Sequence, residues 1–301
     1  MTTPERLTVG IVGGGAVATA FAHELGRAEA NCDVLVWARH PDALSRALMD
    51  AGGTASVTDD LFDVATRPTV IVAVSDDSIT AVAARLRIER HGAPGPSVVL
   101  HTSGATTGAW GMPALGPADD ASVNVVRGSL HPLVAVGRAP APPAPPAAPG
   151  RFEGMPFVIE AEALEGVLRA RQIVERLGGE VLPLPSMQGD PAEDARTKAR
   201  YHAAATMVAT GVVTLVDRAA AELAGTDAER AAFRSAFARL AAGAAANVME
   251  QGGADVLTGP IARSDQSTLD LHAEALEGSA IEALYVAVRR AAEEMLWDPS
   301  E

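Results

Sequence analysis

The sequence predicts an α/β domain built on a mostly parallel sheet, followed by an all-helical domain. Three observations carry this expectation. Short valine-rich runs alternate with helical stretches through the first half of the chain, the pattern of successive βαβ units. A glycine cluster, Gly13-Gly14-Gly15, directly follows the first of these runs. From Asp190 onward strand signals cease and only long helical patterns remain. The expected division is 1–187 for the α/β domain and 188–301 for the helical one, in keeping with 301 residues and roughly 150 per domain.

Taken in order, Leu7–Val12 reads as a buried strand, followed by a helix through Phe21 and Leu25. Val34–Trp37, Val70–Val74 and Val98–Leu100 continue the series, each flanked by turn residues. Further strands are expected at Ser122–Val126, Pro156–Glu160 and Glu180–Leu184, with a helix over Ala163–Leu177 between the last two. Arg138 to Gly150 is a proline–alanine segment, read as a stiff exposed loop rather than as a PxxP ligand. Asp190 is expected to cap a helix, with Pro191 at its first position and Glu193 completing a capping box. That helix runs unbroken to Gly225, about 50 Å at a rise of about 1.5 Å per residue. Its middle, Ala203–Val216, is apolar on every side, which predicts burial all round. The same stretch is too short and too threonine-rich to be expected to span a bilayer. Further helices are expected from Asp227 to Gly252, from Asp265, and from Ser279-Ala280-Ile281-Glu282 to Trp297.

Composition narrows the function classes. The chain holds 38 acidic and 24 basic residues, a formal net charge of −14. Such a balance repels phosphate backbones and anionic membranes, so neither a nucleic acid nor a membrane is an expected partner. The single cysteine, Cys32, rules out an internal disulfide and a cysteine metal cage, and no metal site is expected. The start, Met1-Thr2-Thr3-Pro4-Glu5-Arg6, lacks the basic and apolar regions of a secretory signal. The expectation is a soluble cytoplasmic protein. Only one of the basic residues is a lysine, Lys198.

Val9 to Ala18 contains a G-x-G-x-x-A fingerprint between a strand and a helix. Gly13 allows the tight turn, Gly15 a close backbone approach to a pyrophosphate, and Ala18 close helix–sheet packing. Gly14, Ala16 and Val17 complete the phosphate turn, where the helix N-terminus offers free N–H groups. Arg39 stands just past the second strand, where an acidic residue would select an unmodified ribose. An arginine there accommodates a 2′-phosphate, which predicts NADP. Ser75 and Asp76 follow the next strand and read as a helix cap at the rim of the same site.

Ligands of an open α/β sheet sit beyond the carboxyl ends of its strands. Two histidine-bearing turns are expected there: His101-Thr102-Ser103-Gly104 and Gly128-Ser129-Leu130-His131-Pro132. His101 is placed with the cofactor, and Ser103 and His131 with the reaction. Lys198 and His202 are four residues apart, on one face of the long helix. Lysine can exchange a proton near neutrality and arginine cannot, so one lysine in an arginine-rich chain points to proton transfer. Leu257 to Asp265 forms a polar turn between helices, with His272 further on. Asp265 reads as a cap. Arg263 reads either as a ligand for a substrate carboxylate or as an ion-pair partner of Asp265.

These motifs occur in the order seen in Rossmann-like proteins that carry the domain of unknown function 2520, and together they resemble that family over nearly the whole chain. The family is similar in layout to pyrroline-5-carboxylate reductase, the β-hydroxyacid dehydrogenases and NADP-dependent oxidoreductases. The resemblance implies a Rossmann domain followed by a helical domain of the 6-phosphogluconate-dehydrogenase type, an NADP-linked oxidoreductase acting on a small molecule, and a homodimer built through the helical domains. Arg263 and His272 would then bind substrate. In two places the chain departs from its relatives. Ser264 stands where the family has glycine in Arg-Gly-Asp, and Lys198-x-x-x-His202 replaces the Lys-x-x-x-Asn of the β-hydroxyacid dehydrogenases. A partial likeness to prephenate dehydrogenases would give His131 and Ser103 catalytic roles. The alternative to an enzyme is a catalytically silent NADP-binding sensor or interaction protein.

Overall fold

The computed structural model describes residues 6–297 apart from 28–29, 51, 92, 94–96, 118, 121, 138–149 and 185–189. The chain forms two compact units, Met1–Ala205 and Thr206–Glu301. The proline–alanine segment and the expected 187/188 boundary lie outside the described residues.

The first unit begins with strand β1 (Leu7–Val12), helix α1 (Ala16–Leu25), β2 (Cys32–Trp37), α2 (Pro41–Asp50), β3 (Ser56–Thr58) and α3 (Leu61–Ala65). It continues with β4 (Thr69–Val72), α4 (Asp76–Arg90), β5 (Ser97–His101), the short α5 (Gly108–Gly111) and β6 (Val125–Pro132). Strand β7 (Pro156–Ala161), α6 (Leu164–Arg176) and β8 (Glu180–Val181) complete the sheet. The eight strands lie in the order β3-β2-β1-β4-β5-β6-β7-β8. Every neighbouring pair is parallel except β6 with β7. The chain winds outward in both directions from β1 and β4, so the crevice between their carboxyl ends is the topological switch point where ligands bind such sheets.

The central strands β1, β4, β5 and β6 are buried on both faces, which is why they read as apolar runs rather than as alternating patterns. One face packs Ile11, Val34 and Leu100 against Phe21 of α1 and Ile173 of α6. The other packs Val12, Val70 and Val72 against Val64 of α3 and Leu86 of α4. Residues 41–65 hold α2, β3 and α3, short elements for which the sequence carries weak signals.

One local expectation is overturned. Gly128 to Pro132 is not a turn but the second half of β6. Gly128 and Ser129 are paired on both sides, Ser129 opposite His101 of β5 and opposite Glu160 of β7, and Leu130 to Pro132 continue the ladder with β7. This pairing outweighs the local preference of glycine and proline for turns. Arg127, at the same strand, pairs with Glu162 at 2.6 Å and ties β6 to the chain just past β7.

Helix α7 (Pro191–Leu223) is capped by Asp190, whose carboxylate accepts from the N–H groups of Ala192 and Glu193 at 2.9 and 3.0 Å. The reciprocal half of the expected capping box is absent, because Glu193 pairs with Arg196 at 2.7 Å. The first unit includes α7 as far as Ala205, where Lys198, Tyr201 and His202 pack with groups of the sheet.

The second unit holds the rest of α7, then α8 (Asp227–Gln251), the short α9 (Gly259–Ala262), α10 (Gln266–Leu276) and α11 (Glu282–Leu296). Thr226 and Asp265 cap α8 and α10 through their side-chain oxygens. Asp217 of α7 pairs with Arg230 and Arg234 of α8 at 2.7 and 2.9 Å. The expected all-round burial of Ala203–Val216 is not found: Met207 is 71% exposed and Val213 68%. Among the described residues of this unit, the buried apolar side chains are Ala220, Leu269 and Ala292. An apolar circumference needs partners on every side, and this unit supplies few. By length and composition α7 is also long and apolar enough to cross a membrane, its best 18-residue window having a mean hydropathy of 1.3.

Candidate functional site

At the end of β1 the chain turns through Gly13, which has φ of +142°. A Cβ there would stand 2.2 Å from the carbonyl oxygen of Ala73, so only glycine fits. Gly15 occupies the N-cap of α1, where no side chain caps the helix and the first turn carries no acid. A Cβ built on Gly15 would meet nothing within 4 Å, so the space before the helix N-terminus is open. Unsatisfied N–H groups and the positive end of the helix dipole therefore face an open space that suits a phosphate.

That space is part of a cleft of about 830 Å³, lined by Gly13 to Val17, Arg39, Ser75 and Thr102. Ser75 is at the N-cap of α4 with its hydroxyl 2.9 Å from that of Ser78, and Asp76 opens the helix without lining the cleft. Arg85 of α4 also lines it, a residue the sequence reading missed. The available signal was the spacing of Ser78, Ala81, Val82 and Arg85, which puts all four on one helical face. The residues present fit a dinucleotide.

Beyond Thr102 lies a second group of side chains. His101, Ser129 and Glu160 stand directly opposite one another across β5, β6 and β7, so their side chains share one face of the sheet. Lys198 comes down onto this row from α7. Its Nζ donates to Ser129 Oγ and lies 3.6 Å from Glu160 Oε1. Lys198 and Ser129 are both 0% exposed. Burial lowers the Lys198 ammonium from 10.5 to about 8, although Glu160 and Asp76 pull it back up.

His101 is also fully buried, and both of its ring nitrogens are engaged. Nδ1 accepts from the Ser103 N–H at 3.2 Å, and Nε2 donates to the Thr107 carbonyl at 3.1 Å. Burial first, then the charge of Lys198, lowers its pKa to about 4. His101, which the sequence placed with the cofactor, is held by the loop that carries Thr102 and is not among the residues that line the cleft.

His131 is less enclosed. Its Nδ1 lies 2.8 Å from the Tyr201 hydroxyl, and its ring meets those of Tyr201 and His202 edge-on, each at 5.6 Å. Burial, His202 and Lys198 hold its pKa down at about 4, while burial raises Tyr201 to about 12. At neutral pH both are uncharged. Gly104 is the floor of this corner: a Cβ there would stand 2.6 Å from His202 Nδ1 and 2.8 Å from His131 Nε2. His202 Nδ1 is buried and has no hydrogen-bond partner among the described residues. Ser103 is 5% exposed, and its hydroxyl accepts from the Ala105 N–H at 3.1 Å.

The structure thus brings together His131, Lys198 and His202, with Ser103 and His101 on the adjoining loop. Ser129, Glu160 and Tyr201 are members that sequence reasoning missed. Ser129 and Tyr201 lay inside motifs already singled out. Glu160 had no local signal, since only strand register places it opposite Ser129. Arg263 and His272 belong to the second unit. Arg263 is exposed beside Asp265. His272 Nδ1 lies 2.8 Å from the Tyr285 hydroxyl. Ser264 takes a positive φ of 54°, the backbone conformation that explains a glycine at this place in relatives. Among the described residues no cluster of three metal-binding side chains occurs.

Residues 155–292 match the family described as Domain of unknown function (DUF2520). No curated protein matches the chain. Among solved structures, a candidate NADP oxidoreductase from Bacteroides fragilis is 20% identical over 96% of this chain and 98% of its own, with a TM-score of 0.68. A protein from Thermotoga maritima is 22% identical over 96% and 98%, with a TM-score of 0.61. A pyrroline-5-carboxylate reductase from Coxiella burnetii is 17% identical over 97% and 99%, with a TM-score of 0.54. These likenesses establish the fold. The chain has a Rossmann fold, and its residues 155–292 match the DUF2520 family.

Proposed function

We propose that this protein is an NADP-dependent oxidoreductase acting on a small carbonyl, imine or hydroxy-acid substrate. The observation that carries the reading is a junction. Thr102 lines the glycine-turn cleft, and two residues on, Gly104 abuts His131 and His202, with the charge of Lys198 acting on His131. The names of two structural neighbours, an NADP oxidoreductase and a pyrroline-5-carboxylate reductase, agree with it. Arg39 on the cleft favours NADPH over NADH. Calorimetry with both cofactors checks this: NADPH is expected to bind more tightly, and Arg39→Ala to narrow the difference. Equal affinities in the unmodified protein would sink the preference.

Bound NADPH supplies a hydride, which leaves the protein to supply a proton and to stabilise developing negative charge. Lys198 holds a proton at Nζ at neutral pH and, with an affinity near 8, can release it. Ser129 Oγ accepts from Nζ and fixes the position of the ammonium. His131 is held by Tyr201 and orients the substrate, with Ser103 on the adjoining loop. His202 packs edge-on against His131 and holds that ring in place. NADPH turnover against oxo acids, cyclic imines and aldehydes tests the reading. On the substrate so found, Lys198→Arg keeps charge and removes proton release, so a loss of about 10²–10⁴-fold is expected. Wild-type turnover in that variant transfers the proton to His131.

Full burial of Lys198 and Ser129 favours a second reading, a protein that binds NADP without turning it over. A panel without turnover, alongside tight NADPH binding, decides for it. For assembly we propose a homodimer in the cytoplasm, with Arg263 and His272 completing the partner's cleft. The exposed apolar side chains of α7 support it, since a second copy would cover them.

A further inference from the structure

We propose that Arg85 is a second specificity residue of the dinucleotide cleft, gripping with Arg39 the 2′-phosphate that distinguishes NADPH from NADH. This rests on the cofactor reading above and extends it to a residue on a different element.

Three observations carry it. The first is position. Ser78, Ala81, Val82 and Arg85 all line the cleft from α4, a stripe of small side chains that ends, about 10 Å along the helix, in a guanidinium. The second is a platform. The Arg85 guanidinium carbon lies 5.2 Å from the centroid of the Trp37 ring, a cation–π contact. Trp37 is itself held by its Nε1–H donating to the Asp59 carbonyl at 3.1 Å. It ends β2 two residues before Arg39, so Arg85 is carried to the strand end where the adenosine ribose is recognised. A guanidinium lying on an indole keeps its N–H edge free for an oxyanion, and being held there it loses less freedom on binding.

The third observation is charge. In a chain of net charge −14, the residues lining this cleft include Arg39, Arg85 and His40 and no aspartate or glutamate. Among the described residues neither Arg39 nor Arg85 is paired with a carboxylate. Nearly every other cleft-facing feature is shared by NADH and NADPH. Two unpaired guanidiniums suit the additional dianion.

Calorimetry on the full chain with NADPH, NADH and 2′,5′-ADP tests the assignment. Arg85→Ala is expected to weaken NADPH and 2′,5′-ADP about ten-fold or more, as for a lost hydrogen bond to a charged group, and NADH less than about two-fold. Arg85→Lys should fall between, since it keeps charge but not the planar fork. Arg85 is exposed, so the variants should melt with the unmodified protein. Equal losses for NADPH and NADH would place Arg85 on the shared adenosine and overturn the proposal, as would no loss at all. If Arg39→Ala lowers the NADPH preference while Arg85→Ala leaves it unchanged, the Arg85 assignment falls and the cofactor reading stands. If the unmodified protein binds neither nucleotide, the cofactor reading fails first.

Discussion

A lone lysine in an arginine-rich chain can be watched in isolation. Lysine-selective isotope labelling gives one side-chain signal, and it is expected to titrate near 8 instead of 10.5. A signal titrating above 10 would show an ammonium in water and remove the buried cluster. The lowered affinity means that between pH 8 and 10.5 the unfolded chain binds more protons at Lys198 than the folded one. Its contribution to stability therefore rises with pH across that window. The histidines act at the other end. His101 and His131 are lowered from 6.5 to about 4, so their contribution is complete above 6.5 and is lost as pH falls toward 4. Each pKa unit is worth about 1.4 kcal/mol. Denaturant unfolding at pH 7, 5.5 and 4 should show a fall that is reduced in His101→Gln, where the amide can take over both hydrogen bonds. Rarity made Lys198 legible, but its partners Ser129 and Glu160 come from other strands, and nothing local names them.

Two backbone positions decide how elements join, and they respond oppositely to substitution. Gly13→Ala would drive a Cβ into the Ala73 carbonyl at a positive φ, so a loss of about 2–4 kcal/mol is expected in thermal unfolding. Ser264 already carries a side chain at φ of 54°, in the turn before α10. Ser264→Gly should relieve about 1 kcal/mol and raise the melting temperature by a few degrees. No change would mean that the Ser264 side chain compensates the strain. The glycine turn was readable because its steric demand is local. Strand β6 was not: whether Gly128 to Pro132 turns or extends depends on the ladders that β5 and β7 offer, and those residues are far away in sequence.

At the scale of the molecule, the apolar surface of α7 is the outstanding feature. If a second copy covers it, light scattering at micromolar concentration should give twice the chain mass. Val213→Asp, at a 68% exposed position, should then yield a monomer with unchanged far-ultraviolet circular dichroism. A monomeric unmodified protein would refute the dimer and leave the apolar helix to another partner. Residue identities alone showed that Ala203–Val216 of α7 is apolar all round. They did not show that the chain leaves it uncovered, because burial depends on what packs nearby.

The sequence by itself determined the α/β-then-α order, the phosphate turn, the helix caps at Asp190 and Asp265, and the singular status of Lys198. Each of these follows from short-range sterics, hydrogen bonding or side-chain chemistry within a few residues. Tertiary structure alone decided that His101 is locked into its loop, that Lys198 meets both Glu160 and Ser129, that Arg85 lies on Trp37, and that the apolar middle of α7 is exposed. Those outcomes depend on strand register and on packing between elements, which bring together residues separated by tens of positions, and no local pattern encodes such a meeting.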